Sequence, residues 1–500
     1  MMRRREIVIL TLGLAVIALP LFFERLHSDE VIYWEVARNI SRGLGPHSET
    51  SGGGLFIWHM PLPFYIVAPF LRLSAHIFTA RAISSAFTIA CAILIFRIAL
   101  EKGDEDSAFV GAILFLLSFQ ALRFGGRYYL DQYGLFFFLL TLYLAGKGRF
   151  ISAGASAVLA IAAREYWLGV YPFLLLYSAG GEAAVGNRVA ARGIGQAGVR
   201  PRSTMPEGKI RNGLFFVMPA VAVAAVVLTA VFSDRYVYYG LIKTYVLDGA
   251  AYKNLIVIGR PGYFSRLARG WVEFAAVNVV VVSGFLASIR GGYRVLLLVV
   301  PQIVIISLVH GFAVSGGVTQ YPMAILATLC VFSGAGLKRL YGALSAPFLN
   351  RYGFLNALLA LSCAQFLTLN VVSTVVTLHK NTLVWGLGYK DDREVISILR
   401  NSARGESING FWGAFVDDRR SWDWTDFHID KAVEKDPDWL VTFSNYVDIL
   451  PQKNSATPLE IYNIGPYVMI HSRQRGGMKE AVRQRDHPRW AFRKDSITPP

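Results

Sequence analysis

Eleven apolar runs, each about 15–25 residues long, constrain this 500-residue chain more than any other feature. They cover residues 6–24, 81–100, 107–124, 133–147, 150–164, 166–180, 212–233, 271–289, 294–311, 320–337 and 353–377. A hydrocarbon core about 30 Å thick is crossed by about 20 apolar helical residues, and it offers no water to an unpaired backbone group. Charged residues are only 17% of the chain, where a soluble protein carries about a quarter. The sequence therefore predicts a mainly α, polytopic membrane bundle of about eleven spans over residues 1–379. The first run follows Met-Met-Arg-Arg-Arg, and no small-x-small cleavage motif comes after it. It reads as a retained first helix with its arginines in the cytoplasm.

Residues 62–78 are apolar too, but Pro61, Pro63 and Pro69 interrupt them and Arg72 and His76 lie within. Proline removes a backbone donor and clashes inside a helix, so an interfacial or re-entrant segment fits better than a crossing. The loop charges test that choice. With 62–78 kept on the outer surface, the inner loops after residue 80 hold 14 Lys and Arg, and the outer loops hold 9. A crossing would invert the counts, against the positive-inside rule. The net charge of +16 then reads as this bias and as contact with anionic lipid headgroups, not as nucleic-acid binding. The three cysteines all lie in apolar runs, with no CxxC or metal-ligand spacing.

Loop 181–211 is rich in Gly, Ala and Arg and reads as a flexible cytoplasmic connection. Residues 380–500 differ in kind. DDREVISILRNSA (391–403) predicts a helix, PDWLVTFS (437–444) a buried strand, and IYNIGPYVMIHS (461–472) a hairpin around Gly465-Pro466. The tail is expected to be a small extracytoplasmic α/β domain.

Charged residues cluster at the outer ends of the runs. Asp29-Glu30 follows the first span and offers adjacent carboxylates for general-base work, or simply an acidic helix N-terminus. Tyr33 shares that segment. His59, in Trp58-His59-Met60-Pro61-Leu62, is suited to a proton, a phosphate or a structural hydrogen bond. RFGGRYYLDQYG carries Arg123, Arg127 and Asp131, and Arg164-Glu165-Tyr166 repeats the pattern. Charges at a membrane boundary are costly and tend to have a task, and arginine matches phosphate bidentately. Outer loop 234–270 mixes six basic residues, Lys243 and Arg260 among them, with six tyrosines. It suits a phosphate headgroup and a sugar, or simple attraction to anionic lipid.

The order of these features resembles the GT-C class of integral membrane glycosyltransferases, most nearly the protein O-mannosyltransferases and lipid A aminoarabinose transferases. The resemblance rests on a single span, an outer loop opening on Asp29-Glu30, a His59-Met60-Pro61-Leu62 element, Arg81 beside Ser84 and Ser85, and Asp131 about a hundred residues on. It covers residues 1–180 best. It implies a sugar donor on a polyprenyl phosphate, a protein, lipid or glycan acceptor hydroxyl, and an inverting transfer on the outer face. It also admits a divalent metal ion. By the resemblance, Asp29 is the base, Glu30 its acidic neighbour, and Asp131 the acidic residue of the second outer loop. Arg127, Lys243 and Arg260 are candidates for the donor phosphate, and His59, Arg164, Glu165 and Tyr33 are further site candidates. Members of the class often carry Arg-Tyr before a proline at the outer start of a late span. Here the position reads Gln320-Tyr321-Pro322, which leaves loop 234–270 to meet the phosphate. The tryptophan-rich motif of oligosaccharyltransferases is absent. A transporter or flippase of a lipid-linked precursor is the alternative. It predicts midplane charges and paired half-repeats, neither of which the sequence displays.

Overall fold

A computed structural model describes residues 4–24, 26–48, 59–179, 213–219, 263–289, 295–314, 320–343 and 389–403. In the tail it describes 406–410, 420–422, 436–443, 447–449, 459–473, 482–484 and a few single residues. The chain divides into two compact units. The first comprises 1–21, 57–66 and 80–385, the second 22–56, 67–79 and 386–500. The unit holding the tail thus also holds the segment after the first span.

The first unit is helical. Helix α1 (Arg4–Gly13) continues through a π turn and a 3₁₀ turn to Phe22. Pro20, which cannot donate, lies in the 3₁₀ turn. Helices α4 (Ile77–Lys102), α5 (Glu105–Leu116), α6 (Phe119–Phe124), α7 (Asp131–Gly146), α8 (Phe150–Ala163) and α9 (Trp167–Ala179) follow the segment after the first helix. That segment carries α2 (Ser28–Ser41), which belongs to the second unit, and α3 (Leu62–Leu73), whose residues are divided between the two units at 66/67. Later come α10 (Tyr263–Val277), α11 (Val279–Ile289), α12 (Leu296–Val314) and α13 (Met323–Ala343). The expected run 107–124 is broken. Leu117 ends α5, and the Ser118 side chain accepts from Ala121 N to cap α6. Helix α10 begins inside the expected 234–270 loop.

Three helical stretches among the described residues are long and apolar enough to cross a bilayer: Arg4–Phe22, Ile77–Lys102 and Met323–Gly342. The pair α10 and α11, broken at Asn278, makes a fourth if counted as one. Shorter apolar helices include Leu62–Leu73 and Phe150–Ala163. Run 353–377, apart from Gly353, lies outside the described residues, as do most of 212–233 and all of loop 181–211.

Lipid and side chain are equally apolar, so close backbone approach and van der Waals packing hold such helices together. The α5–α13 contact depends on two glycines. A Cβ at Gly334 would lie 1.9 Å from the Ser107 carbonyl oxygen, and one at Gly111 2.3 Å from that of Cys330. Ion pairs gather at the helix ends on one side: Glu6 with Arg97, Arg5 with Glu105 and Asp106, Glu101 with Lys147, and Asp104 with Lys338. Cys91 and Cys330 are buried and free.

In the second unit the tail helix α14 (Tyr389–Ser402) buries Val395, Ile396 and Leu399, spaced along one face. The five-stranded sheet has the order β2-β1-β3-β6-β5. Strands β1 (Ser407–Asn409), β2 (Arg420–Trp422) and β3 (Trp439–Phe443) run parallel. Strand β6 (Tyr467–Ser472) is antiparallel to β3 and forms the expected hairpin with β5 (Leu459–Ile464). Gly465 in the turn has φ +53°, a conformation glycine adopts without strain. Strands β4 (Val447–Ile449) and β7 (Val482–Gln484) pair separately. Val433, Leu440, Val468, Ile470 and Val482 form a small core.

Candidate functional site

In the first unit, the sequence between α6 and α7 folds as a buried link instead of an exposed loop. A Cβ at Gly126 would lie 2.7 Å from the Ile17 carbonyl oxygen, so only glycine lets this link press against the first helix. Gln132 then clamps it from within. Its Nε2 donates to the carbonyls of Arg127 at 2.7 Å and Phe124 at 3.0 Å. Arg127 is itself buried, as are Tyr128 and Tyr129. The link sets Asp131 as the first residue of α7, where unpaired N–H groups favour a carboxylate.

Four of the expected site residues converge there. Arg164 caps the C-terminus of α8 with extended backbone (φ −153°, ψ 119°), which turns its side chain away from the helix. Its Nε donates to Asp131 Oδ1 at 3.2 Å, with both side chains almost wholly buried. Its Nη1 lies 2.8 Å from His59 Nδ1 and 3.6 Å from Glu165 Oε1. His59 Nδ1 is also 3.1 Å from Glu165 Oε1. That nitrogen therefore has two roles. Bare, it accepts from Arg164; protonated, it donates to Glu165. Tyr166 OH donates to Asp131 Oδ1 at 3.5 Å.

Burial alone would raise the Glu165 carboxyl, but the charges of Arg164 and His59 outweigh it and hold the group well below the usual carboxylate range. The Tyr166 ring is buried and its hydroxyl is turned toward the Asp131 carboxylate. Asp131 Oδ2 and Glu165 Oε2 are buried without a hydrogen-bond partner among the described residues. An unmet buried acceptor is costly, so the cluster is chemically suited to an incoming hydroxyl or amine.

Two contributors were not assigned from the sequence. Tyr166 was visible only as part of a charged cluster. Tyr321 stood out for the arginine missing beside it, and its ring centroid lies 5.7 Å from the Arg164 guanidinium carbon.

The second unit holds Asp29, Glu30 and Tyr33. Both acids lie in the first turn of α2, Asp29 half-buried and Glu30 fully buried. Tyr33 is buried one turn on. Farther along, Trp34 stacks on Phe415 at 4.8 Å, and Arg38 covers its ring at 5.1 Å. Lys243 and Arg260 lie outside the described residues. Among the described residues no group of three or more His, Cys, Asp or Glu is arranged to hold a metal ion.

No family model matches the chain, and no curated protein matches it. Solved structures do. The structure of ArnT from Cupriavidus metallidurans bound to undecaprenyl phosphate matches with TM-score 0.56 at 10% identity, over 94% of this chain and 98% of that one. The apo ArnT structure gives 0.55 at 11%, over 93% and 97%. The fold is that of the GT-C membrane glycosyltransferases. The oligosaccharyltransferase of Archaeoglobus fulgidus matches with TM-score 0.49 at 12% identity, over 88% of this chain and 68% of that one.

Proposed function

We propose that this protein is an inverting glycosyltransferase that moves one sugar from a polyprenyl-phosphate donor to an acceptor hydroxyl on the outer face of the membrane. The observation that carries this reading is the likeness in fold, over nearly the whole of both chains, to an ArnT structure bound to undecaprenyl phosphate. Two acidic sites accompany it, at Asp29-Glu30 and at Asp131.

In this reading Asp29 takes the acceptor hydroxyl proton while that oxygen bonds to the anomeric carbon. The bond from the anomeric carbon to the phosphate oxygen breaks in the same displacement, and the lipid phosphate leaves with the electron pair. One displacement inverts the anomeric centre and needs one base, not a pair of carboxylates. Glu30 orients that base. Charge develops on the leaving phosphate, and cationic groups must stabilise it. Arg127, Lys243 and Arg260 are the proposed partners. The open oxygens of Asp131 and Glu165 accept hydrogen bonds from a bound hydroxyl, with Arg164, His59 and Tyr166 fixing their positions. The N-terminus is cytoplasmic and the tail domain of residues 380–500 extracytoplasmic.

The test is incubation of the purified protein, in lipid, with radiolabelled polyprenyl-phosphate hexoses and pentoses and a membrane extract as acceptor. Release of free polyprenyl phosphate with label in a new product supports the transferase. Movement of intact donor between leaflets without cleavage supports a flippase and overturns the transferase reading.

A further inference from the structure

We infer that Asp392, in the first turn of the tail helix α14, is a positioning residue for Asp29. The inference rests on the transferase reading above and deepens it. Asp392 is wholly buried, 366 residues beyond Leu26 in sequence. Its Oδ2 accepts from the Leu26 backbone N–H at 2.9 Å, and its Oδ1 accepts from Trp412 Nε1 at 2.8 Å. A carboxylate removed from water is costly, and an apolar side chain would fill the same space without that cost. What the carboxylate adds is geometry, since it holds two donors at fixed directions.

Leu26 is the point at which direction matters. His27, the N-cap of α2, is extended (φ −123°, ψ 144°), and the Val31 amide donates to its carbonyl at 3.0 Å. Fixing the Leu26 amide therefore fixes where α2 begins and where its first turn, with Asp29, is aimed. Neighbouring contacts hold the same junction. The Tyr389 amide donates to the Phe23 carbonyl at 3.1 Å, and the Tyr389 ring meets Phe78 edge-on at 4.9 Å. On the far side Trp412 packs edge-on against Tyr467, the first residue of β6, with ring centroids 4.8 Å apart. The tail sheet, Trp412, Asp392, Leu26 and α2 thus form one continuous support. The tail serves the acidic loop as its scaffold.

The test compares the full-length protein with Asp392→Asn and Asp392→Asn/Trp412→Phe, by hydrogen exchange and by donor conversion. An asparagine has one acceptor oxygen, so it opposes one of the two donors. Removing the Trp412 donor frees that oxygen for Leu26. In Asp392→Asn, amide exchange over residues 26–31 should rise by about tenfold or more, the loss of a hydrogen bond to a charged group. Exchange in the β5–β6 hairpin should not change. Conversion of the labelled polyprenyl-phosphate sugars should lose kcat with KM for donor unchanged, and the double variant should recover both readouts. Unchanged exchange at 26–31 would overturn the inference, as would faster exchange with unaltered kcat, or loosening that spreads to the hairpin. If the unmodified protein converts no donor, the transferase reading fails, and exchange at 26–31 still decides whether Asp392 holds this segment.

Discussion

Replacing Arg164 with methionine tests the buried cluster most severely. Arg164 and Asp131 are 2% and 3% exposed, and their contact is a single 3.2 Å hydrogen bond between opposite charges. Methionine fills much of the same volume, so a cavity contributes little. What remains is a buried carboxylate with only a 3.5 Å bond from Tyr166 on one oxygen, and no described partner on the other. Removing one partner of a buried pair costs about 3–5 kcal/mol, because the other charge is left uncompensated. Glu165 also loses a cation at 3.6 Å. Thermal unfolding in detergent micelles, followed by tryptophan fluorescence, should therefore fall by about 5 °C, given roughly 2–4 °C per kcal/mol in domains smaller than this one. Asp131→Asn in the same background removes the stranded charge and should restore most of the loss, with a coupling of about 2–3 kcal/mol between the two sites. Single losses under about 1 kcal/mol that simply add would rule out a buried, coupled pair, since they are the mark of a solvated one.

Two further outcomes follow from the geometry. The Glu165 carboxyl is depressed in the folded state, so its contribution is fully present above the unfolded carboxylate value of about 4.3 and is lost as pH falls through the folded one. Glu165→Gln should flatten the acid limb of unfolding midpoint against pH, and an unchanged limb would contradict the assignment. Gly334→Ala places a methyl 1.9 Å from the Ser107 carbonyl and should cost about 1–3 kcal/mol or more, while Gly342→Ala, with open space around it, should be near neutral. Equal midpoints for the two would show that α5 and α13 do not pack at this glycine.

Much of the fold was legible because bilayer crossing imposes long apolar runs. The helices at 77–102, 131–146, 150–163 and 323–343 all fall on such runs. The tail hairpin was legible from Gly465-Pro466, and the tail helix from its apolar period. The break at Leu117 was not, since one capping serine inside an apolar run looks like any small residue. The site was legible as a list of charges and not as an arrangement. His59 is more than a hundred residues from Arg164, and only the fold brings it to hydrogen-bonding distance. Local chemistry says nothing of Asp392 and Leu26, because the donor is a backbone amide, which every residue but proline carries.

The proposed role of Asp29 is to supply the base for sugar transfer. Its most direct test is Asp29→Asn, confirmed as folded in membranes, assayed with the labelled polyprenyl-phosphate sugar that the unmodified protein converts. This variant should lose kcat by about a hundredfold or more with donor binding retained, since an isosteric amide removes the base and little else. Transfer near the rate of the unmodified protein would contradict that role.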